Sequence, residues 1–536
     1  MRARLTGFMM VMAVVAAACG GDGDTTNGQG QSATTQTPPA GEVDRDATIR
    51  IAAQEDDWDD NQAEKSSAFA YVLNVNVYEP LIYLNSDYTF SPGLAESWEL
   101  IEPNTWRFHL REGVKFHDGS DFDADDVIWT WQTRQVDMEG NTLSTVANTL
   151  GPDSVTKVDQ FTVDFTPVET NLRLPEQIVH PEGSILPEGQ HNDTPPYAST
   201  GPFKIVDYVP GESVTVERFE DYWGTTPQVR RLEVQFIPDP QARIQALQAG
   251  QVDFVIDVPP EAVSGLEADD SIRVVKSPPG RNHLIYINKN EDRVTADPAV
   301  REAIALAVDP ESYVEVVLEG NGEPGRWMAP PSVLGDAADL VDPVPFDADE
   351  ARRVLDEAGW EVGDDGIREK DGRTLSLILL GQQEVAETAV TLIESQLEDL
   401  GMAVETIQPV DRAARNAVYD QGNGDFDLDL EPPNQNDGNP AFLPVLRMFS
   451  KNANTAQFAP GADFDAIAER SLAAKTTEEA QVAAAEMMQN LLNTHHIVVP
   501  LAGVFRIYAM ETSVQLGDPH PSFTNQVWTS LSKSTG

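Results

Sequence analysis

The sequence contains very little cysteine and few basic residues. Its only cysteine among 536 residues is Cys19, so no disulfide can form within the chain and a thiolate zinc site is excluded. Only 36 residues are Lys or Arg against 88 Asp or Glu, which gives a formal charge of −52. This charge opposes binding to a phosphate backbone, so we expect no nucleic-acid partner. Such acidity is typical of a surface hydrated in brine or of a secreted protein kept soluble by its charge.

The chain also lacks an apolar run that could cross a membrane. The run Leu5–Ala18 has 14 residues, fewer than the roughly 20 of a spanning helix. It follows Arg2 and Arg4, which indicates a signal peptide over residues 1–18. The segment VAAAC, which ends at Cys19, resembles a bacterial lipobox and predicts a lipidated Cys19. The alternative is a cysteine that happens to lie in the leader. Residues 19–46 would then form a flexible tether.

Apolar alternation and helix-end signals predict an α/β fold. Asp239, as the N-cap before Pro240, and Gly250, as the stop, delimit one helix. The run LSLILL, a helical stripe ending at Gly401 and the run MAVETI predict a parallel strand, helix and strand unit. No linker separates the two halves, so we expect two lobes with a cleft between them. Other predicted elements are strands at TIRIAA from Thr48, Thr105–Arg111, Phe161–Thr166, Phe203–Tyr208, Ser213–Phe219 and Arg231–Ile237, and a capped helix over Ala348–Ala358.

No catalytic motif with the required spacing is present. The sequence has no GxSxG elbow, no phosphate loop and no HExxH. The adjacent His495 and His496 cannot share one face of a helix or strand, so we expect no metal site there. The acidic run Asp425–Glu431 approaches a calcium loop, but Leu430 replaces the glycine of the sixth position. We interpret FDLDL as a strand with an acidic face toward solvent, and we expect no enzyme, metal or cofactor.

Several motifs resemble those of the bacterial family-5 solute-binding proteins, which serve ABC importers. The resemblance covers the chain from about Thr48 to the C-terminus. The motifs are YEPLIYLNSDYTFSPGLAESWEL from Tyr78, WRFHLREGVKFHDGSDFDADDVIWTWQ from Trp106, TGPFKIVDY from Thr200, DPQARIQALQAGQVDF from Asp239, DPAVREAIALAVD from Asp297 and DADEARRVLDEAGW from Asp347, in that order.

This resemblance implies an α/β, two-lobed periplasmic-binding-protein fold of type II, with an extra subdomain inserted in lobe I. Lobe I would comprise residues 47–77, 196–281 and 495–536, the inserted subdomain residues 78–195, and lobe II residues 282–494. The chain would cross between the lobes near Asn282 and near Thr494 to Val498. Solute contacts to the second lobe would form only on closure, so binding would shift the population to the closed form.

The implied function is that of an extracytoplasmic binding protein, held on the outer face of the cell membrane or in the periplasm by lipid. It would deliver a peptide or other small solute to the permease subunits of an ABC transporter, and we expect a monomer. A sensor of the same fold that docks on a membrane receptor is one alternative. A secreted hydrolase is another, although no activated nucleophile can be named for it.

The solute is harder to predict than the fold. In peptide-binding relatives, a tryptophan and then an aspartate that pairs with the ligand's amino terminus precede a proline of lobe II. Here the position four residues before Pro440 is Asn436, and Asp437 is one place away. An asparagine cannot neutralise a buried ammonium, so this departure favours an uncharged oligosaccharide. The resemblance to the family favours a peptide, which we expect, and we keep the oligosaccharide as the alternative. Trp58, in QEDDWDDN, is a candidate for stacking on the ligand. The expected ligand-binding residues are Trp58, Thr200, Gly201, Asn288, Asn434, Asn436 and Asp437.

Overall fold

The computed structural model places its described residues in one compact unit. No helix in this part of the chain is long and apolar enough to span a bilayer. The described residues are 42–54, 75–101, 103–133, 150–151, 153–179, 183–190, 198–328, 331–381, 386–409, 414, 418, 424–435, 449, 456–521 and 526–535.

A seven-stranded sheet contains the first of the described strands near its centre. Thr48–Ala53 lies parallel to Arg231–Phe236 on one side and to Phe254–Ile256 on the other. Separate apolar clusters cover the two faces of this sheet, and Ile51 belongs to one while Ala52 belongs to the other. The order across the sheet is Ile272–Lys276, Ile507–Glu511, Phe254–Ile256, Thr48–Ala53, Arg231–Phe236, Ser213–Arg218 and Phe203–Val209.

A six-stranded sheet is built from the second half of the chain. Ser376–Gly381 and Ala403–Ile407 pair in parallel, as the strand, helix and strand pattern predicts. Apolar clusters again cover both faces. The order is Gly322–Pro324, Val498–Val504, Arg281–Ile287, Leu428–Gln435, Ser376–Gly381 and Ala403–Ile407.

The prediction that the acidic face of FDLDL points toward solvent is wrong. Asp427 and Asp429 are buried, because the strand Leu428–Gln435 lies between two other strands of the sheet and begins with fully buried residues at 428–430. Asp427 instead accepts hydrogen bonds from Arg293 Nε and Nη2 at 3.1 and 3.0 Å. The alternation in the sequence therefore marks a central strand with a buried ion pair.

A four-stranded antiparallel sheet lies within residues 95–165 and has its own apolar cluster. Beside it in the chain is the hairpin formed by Ile82–Leu84 and Phe90–Pro92. The strands of the four-stranded sheet are, in order, Ala95–Ile101, Thr105–Leu110, Thr162–Phe165 and Val155–Asp159. Two further small sheets are formed by Glu361–Val362, Arg368–Lys370 and Arg373–Thr374, and by Val514–Gln515 and Ser532–Lys533.

Helices pack on these sheets and begin where their capping residues predict. Asp239 accepts a hydrogen bond from Ala242 N at 2.6 Å, and Asp347 accepts one from Glu350 N at 2.9 Å, so both predicted N-caps are confirmed. The described α-helices are Ala124–Thr133, Leu174–Ile178, Pro240–Gln248, Pro260–Glu267, Pro298–Ala307, Pro310–Val316, Pro331–Leu334, Ala348–Glu357, Glu387–Glu398, Ala462–Leu472 and Thr477–Gln489. Short 3₁₀ turns span Val294–Ala296, Gly335–Leu340, Ala456–Phe458 and Trp528–Ser530, and a π-helical turn spans Asn490–Thr494.

Candidate functional site

Two segments connect the seven-stranded and six-stranded sheets, and they run side by side. We call residues 277–280 and 505–506 the paired crossings. Ser277 N donates to Arg506 O at 2.9 Å, and Arg506 N donates to Ser277 Oγ at 3.0 Å. Lys276 pairs with Ile507 on one side of this contact, and Arg281 pairs with Val504 on the other. The two connections are therefore held together as one unit.

The second crossing lies later in the chain than the sequence predicts. The expected position was near Thr494 to Val498, but Val498–Val504 pairs along its length with Arg281–Ile287 in the six-stranded sheet. The run IVVPL is apolar on both faces, which fits a central strand of either sheet. Its sequence therefore cannot say which sheet it joins. Proline and glycine in SPPG, by contrast, do locate the first crossing.

An ion pair between a buried arginine and a partly buried aspartate braces the second crossing. The Arg506 side chain is almost fully buried, and its Nη1 lies 2.5 Å from Asp257 Oδ1. Asp257 directly follows Phe254–Ile256 and has a positive φ of 58°, which is uncommon for a residue other than glycine. Arg243 Nη2 donates to Asp257 O at 3.2 Å, and burial lowers the pKa of Arg243. These contacts fix the end of a central strand against the crossing.

The carboxyl ends of the parallel strands in both sheets lie at the paired crossings. In the seven-stranded sheet, Ile256 pairs with Tyr508, just after the second crossing. In the six-stranded sheet, Gln435 pairs with Arg281, just after the first crossing. Gly381 and Ile407 end strands parallel to that of Gln435. Open α/β sheets bind ligands beyond the carboxyl ends of their strands, so the candidate site lies beside the paired crossings.

The structure places one predicted ligand residue near this edge. Asn434 belongs to the strand Leu428–Gln435 and pairs with Asn282, next to the first crossing. Asn436 and Asp437 follow Gln435 in the sequence and lie outside the described residues. Trp58, which comes five positions after Ala53, and the lipidation candidate Cys19 also lie outside them.

Thr200 and Gly201 lie at the opposite edge of the seven-stranded sheet. They precede Phe203–Val209, which runs antiparallel to its neighbour and hence parallel to Arg231–Phe236. Gly201 N donates to Val77 O at 3.0 Å, and a Cβ at Gly201 would approach that oxygen to 2.5 Å. Position 201 therefore requires glycine, because the two backbones lie close together. Gly201 is not part of the paired crossings.

Asn288 lies at the far end of the strand that leaves the first crossing. It follows Arg281–Ile287, and its Nδ2 donates to Phe426 O at 2.8 Å and to Gly424 O at 3.3 Å. The side chain is fully buried. Its amide thus holds the entry of the neighbouring strand, at the end of the sheet opposite to Gln435.

A buried carboxyl group joins the hairpin after Tyr78 to the loop after Ser213–Arg218. Glu79 accepts hydrogen bonds from Tyr83 Oη at 2.6 Å, Tyr222 Oη at 2.8 Å and Trp223 Nε1 at 2.8 Å. Burial raises the pKa of Glu79, and these three donors oppose that rise. Because these three neighbours all donate hydrogen bonds to it, the Glu79 carboxyl group is held in a fixed position. Among the described residues, no group of three His, Cys, Asp or Glu side chains could hold a metal ion.

The sequence gives no local signal for the residues that brace the crossings. Asp257 and Arg506 are 249 positions apart, and no local motif links them. The turn at residues 277–280, with two prolines and one glycine, is the local signal in the sequence that coincides with a connection between the described sheets. A single sequence gives no further sign that a carboxylate after one strand pairs with an arginine before another.

Comparison with known proteins gives consistent results. Residues 89–456 match the model of the bacterial extracellular solute-binding proteins, family 5 Middle. The chain is 30% identical over 62% of its length to the oligopeptide-binding protein AppA of Bacillus subtilis, covering 64% of that protein. It is 29% identical over 51% of its length to the dipeptide-binding protein of Escherichia coli, covering 55% of that protein. The chain thus spans less than two thirds of these curated relatives.

A solved structure shares the fold over nearly the whole chain. The crystal structure of NikA from Brucella suis in complex with Fe(III)-EDTA matches with a TM-score of 0.79 and 24% sequence identity. The match covers 91% of this chain and 100% of that one.

Proposed function

The chain belongs to family 5 of the bacterial extracellular solute-binding proteins, and we propose that it captures a small solute and delivers it to an ABC transporter permease. Proteins of this family bind solutes for transport and are not enzymes. The predicted fold class is confirmed: the α/β chain has the two-lobed, type II periplasmic-binding-protein fold with a subdomain inserted in lobe I.

The paired crossings are the observation that carries this proposal. They are the two connections between the sheets, and the parallel strands of both sheets end beside them. A solute held there would touch groups from both lobes, so its binding would favour the closed arrangement. We propose that lobe II extends from about residue 281 to about residue 504, which shifts its expected end by about ten residues. The inserted subdomain keeps its expected span of residues 78–195.

We propose a short peptide as the solute. Two relatives are named for oligopeptides and dipeptides, and Asp437 lies one position from the place where such relatives hold the ligand's amino terminus. Calorimetry with a mixed pool of short peptides and a pool of oligosaccharides tests this choice. Heat from the peptide pool supports it. Heat from the oligosaccharides alone would replace it with an uncharged solute, which Asn436 favours.

Replacing Asp437 by asparagine separates the two solute classes. If Asp437 pairs with a peptide ammonium away from water, Asp437→Asn should weaken binding by about 2–5 kcal/mol. If the solute is uncharged, the loss should be about 1 kcal/mol. Asp425→Asn is the matched control, since the Asp425 side chain is 72% exposed at the other end of the same strand segment. A small loss with peptides would rule out the ammonium contact.

We propose that the mature protein begins at lipidated Cys19 and stays on the outer face of the membrane. The support is the lone cysteine after a 14-residue apolar leader. Cys19→Ala should release the protein into the soluble extracytoplasmic fraction, because a chain without acyl groups lacks an anchor. Cell fractionation followed by immunoblotting checks this. Retention of the variant in the membrane fraction would show that something else holds it.

A further inference from the structure

One side chain packs against two apolar clusters that belong to different sheets. Tyr88, at the tip of the hairpin Ile82–Leu84 and Phe90–Pro92, touches the cluster of the four-stranded sheet. It also touches the cluster on one face of the six-stranded sheet. Among the described residues, Tyr88 is the only side chain that packs against both of these clusters. Its hydroxyl is buried and has no hydrogen-bond partner in the part of the chain that the structure describes.

The backbone of Tyr88 is unfavourable for a tyrosine. Its φ is 62°, in the left-handed region where glycine is the residue without steric cost. The turn is closed by Tyr88 N donating to Asn85 O at 2.9 Å and by Asn85 N donating to Thr89 O at 2.8 Å. Glycine would satisfy this turn better, so the ring must be retained for what it touches.

A second contact joins the inserted subdomain to the same side of the six-stranded sheet. Leu172 N donates to Leu472 O at 2.9 Å, and Leu472 ends the helix Ala462–Leu472. The loop before Leu172 is braced by Asn104, whose Nδ2 donates to Pro167 O and Glu169 O at 3.1 Å each. Asn104 Oδ1 also accepts from Asn171 N at 2.9 Å. The loop is therefore fixed before it reaches its partner.

We propose that Tyr88 and Leu172 form a latch that holds the two lobes closed. The inference rests on the proposed function, because it assumes that the lobes open about the paired crossings. In the part of the chain that the structure describes, the strands of the two sheets are connected at residues 277–280 and 505–506, so a contact made elsewhere between the lobes breaks when they rotate apart. The latch raises the closed fraction of the solute-free protein, and the apparent solute affinity rises with that fraction.

Pulsed electron paramagnetic resonance can measure the latch without any solute. Cys19→Ala leaves a chain without cysteine, so labels can be placed at Val158→Cys in the subdomain and at Glu478→Cys in lobe II. Both positions are exposed. Tyr88→Gly should shift the distance distribution to longer values, because it removes the ring while relaxing the turn. Tyr88→Phe should keep the short distances, since it deletes only a hydroxyl without a partner.

Two further variants complete the test. Ser86→Ala, an exposed position in the same turn, is the matched control and should leave the distances unchanged. Leu172→Pro should also lengthen them, because proline has no backbone N–H to donate to Leu472 O, and this variant serves if Tyr88→Gly fails to fold. Unchanged distances in folded Tyr88→Gly, or in folded Leu172→Pro if it is needed, would overturn the latch.

The same variants give a second measurement in the presence of solute. We expect Tyr88→Gly to weaken binding of the short-peptide pool by about tenfold in calorimetry, because the apparent affinity falls with the closed fraction. Equal affinity of Tyr88→Gly and the unmodified protein would also overturn the latch. If the peptide pool gives no heat with any variant, the peptide proposal fails, while the solute-free distances still decide the latch.

Discussion

Asp427→Ala should lower the free energy of unfolding by about 3–5 kcal/mol, because it leaves a mostly buried arginine without its main partner. The Asp427 side chain is 4% exposed and receives two hydrogen bonds from Arg293. Ile378 N also donates to Asp427 Oδ2 at 2.8 Å. The substitution therefore removes the partner of a guanidinium and of a buried backbone N–H at once. The midpoint of urea unfolding, followed by tryptophan fluorescence, measures the effect.

Asp425→Ala is the matched control for this prediction. Arg293 Nη1 also lies 3.1 Å from Asp425 Oδ1, but that side chain is 72% exposed. Exposed ion pairs contribute little, so the expected loss is about 0–1 kcal/mol. Equal shifts of the unfolding midpoint in the two variants would contradict the different weights assigned to the buried and the exposed partner of Arg293.

Gly280→Ala should destabilise the first crossing by about 1–3 kcal/mol. A Cβ built on Gly280 would lie 1.9 Å from Pro521 O and 2.4 Å from Pro521 C. These are backbone atoms, which cannot rotate away as the end of a side chain can. Relief requires a shift of the crossing itself, so the solute affinity should fall together with the stability. Thermal unfolding and calorimetry on the same variant measure the two effects.

Gly265→Ala makes the same chemical change in a permissive place. Gly265 lies within the helix Pro260–Glu267 and a Cβ there would meet no atom within 4 Å. Alanine is favoured over glycine in a helix by up to about 1 kcal/mol, so this variant should be as stable as the parent protein or more stable. A Gly280→Ala variant that matches it in stability and affinity would show that the crossing tolerates a side chain.

Local elements could be predicted from the sequence because their determinants are adjacent in the chain. Asp239 and Pro240 begin a helix in the structure, and the runs Thr105–Arg111 and Ser213–Phe219 contain strands at Thr105–Leu110 and Ser213–Arg218. The parallel pairing of Ser376–Gly381 with Ala403–Ile407 also followed from one compact motif. The fold class came from a resemblance spread over many such motifs.

Long-range pairing could not be predicted in this way. Asp427 and Arg293 are 134 residues apart, so the local alternation predicts a solvent-facing acidic strand although the Asp427 carboxylate is buried. Val498–Val504 is apolar on both faces, and only its pairing with Arg281–Ile287 assigns it to the six-stranded sheet. The positions of Thr200 and Asn288 could not be predicted either. Both residues lie at strand ends away from the paired crossings, and this placement follows from the directions of the paired strands.

Capture of a solute between two lobes is tested most directly by small-angle X-ray scattering of the Cys19→Ala protein. Profiles are recorded without solute and with a saturating amount of the pool that gives heat in calorimetry. Closure about the paired crossings brings the lobes together, so the radius of gyration should fall on saturation. An unchanged radius of gyration at saturation would contradict closure of the lobes around the solute.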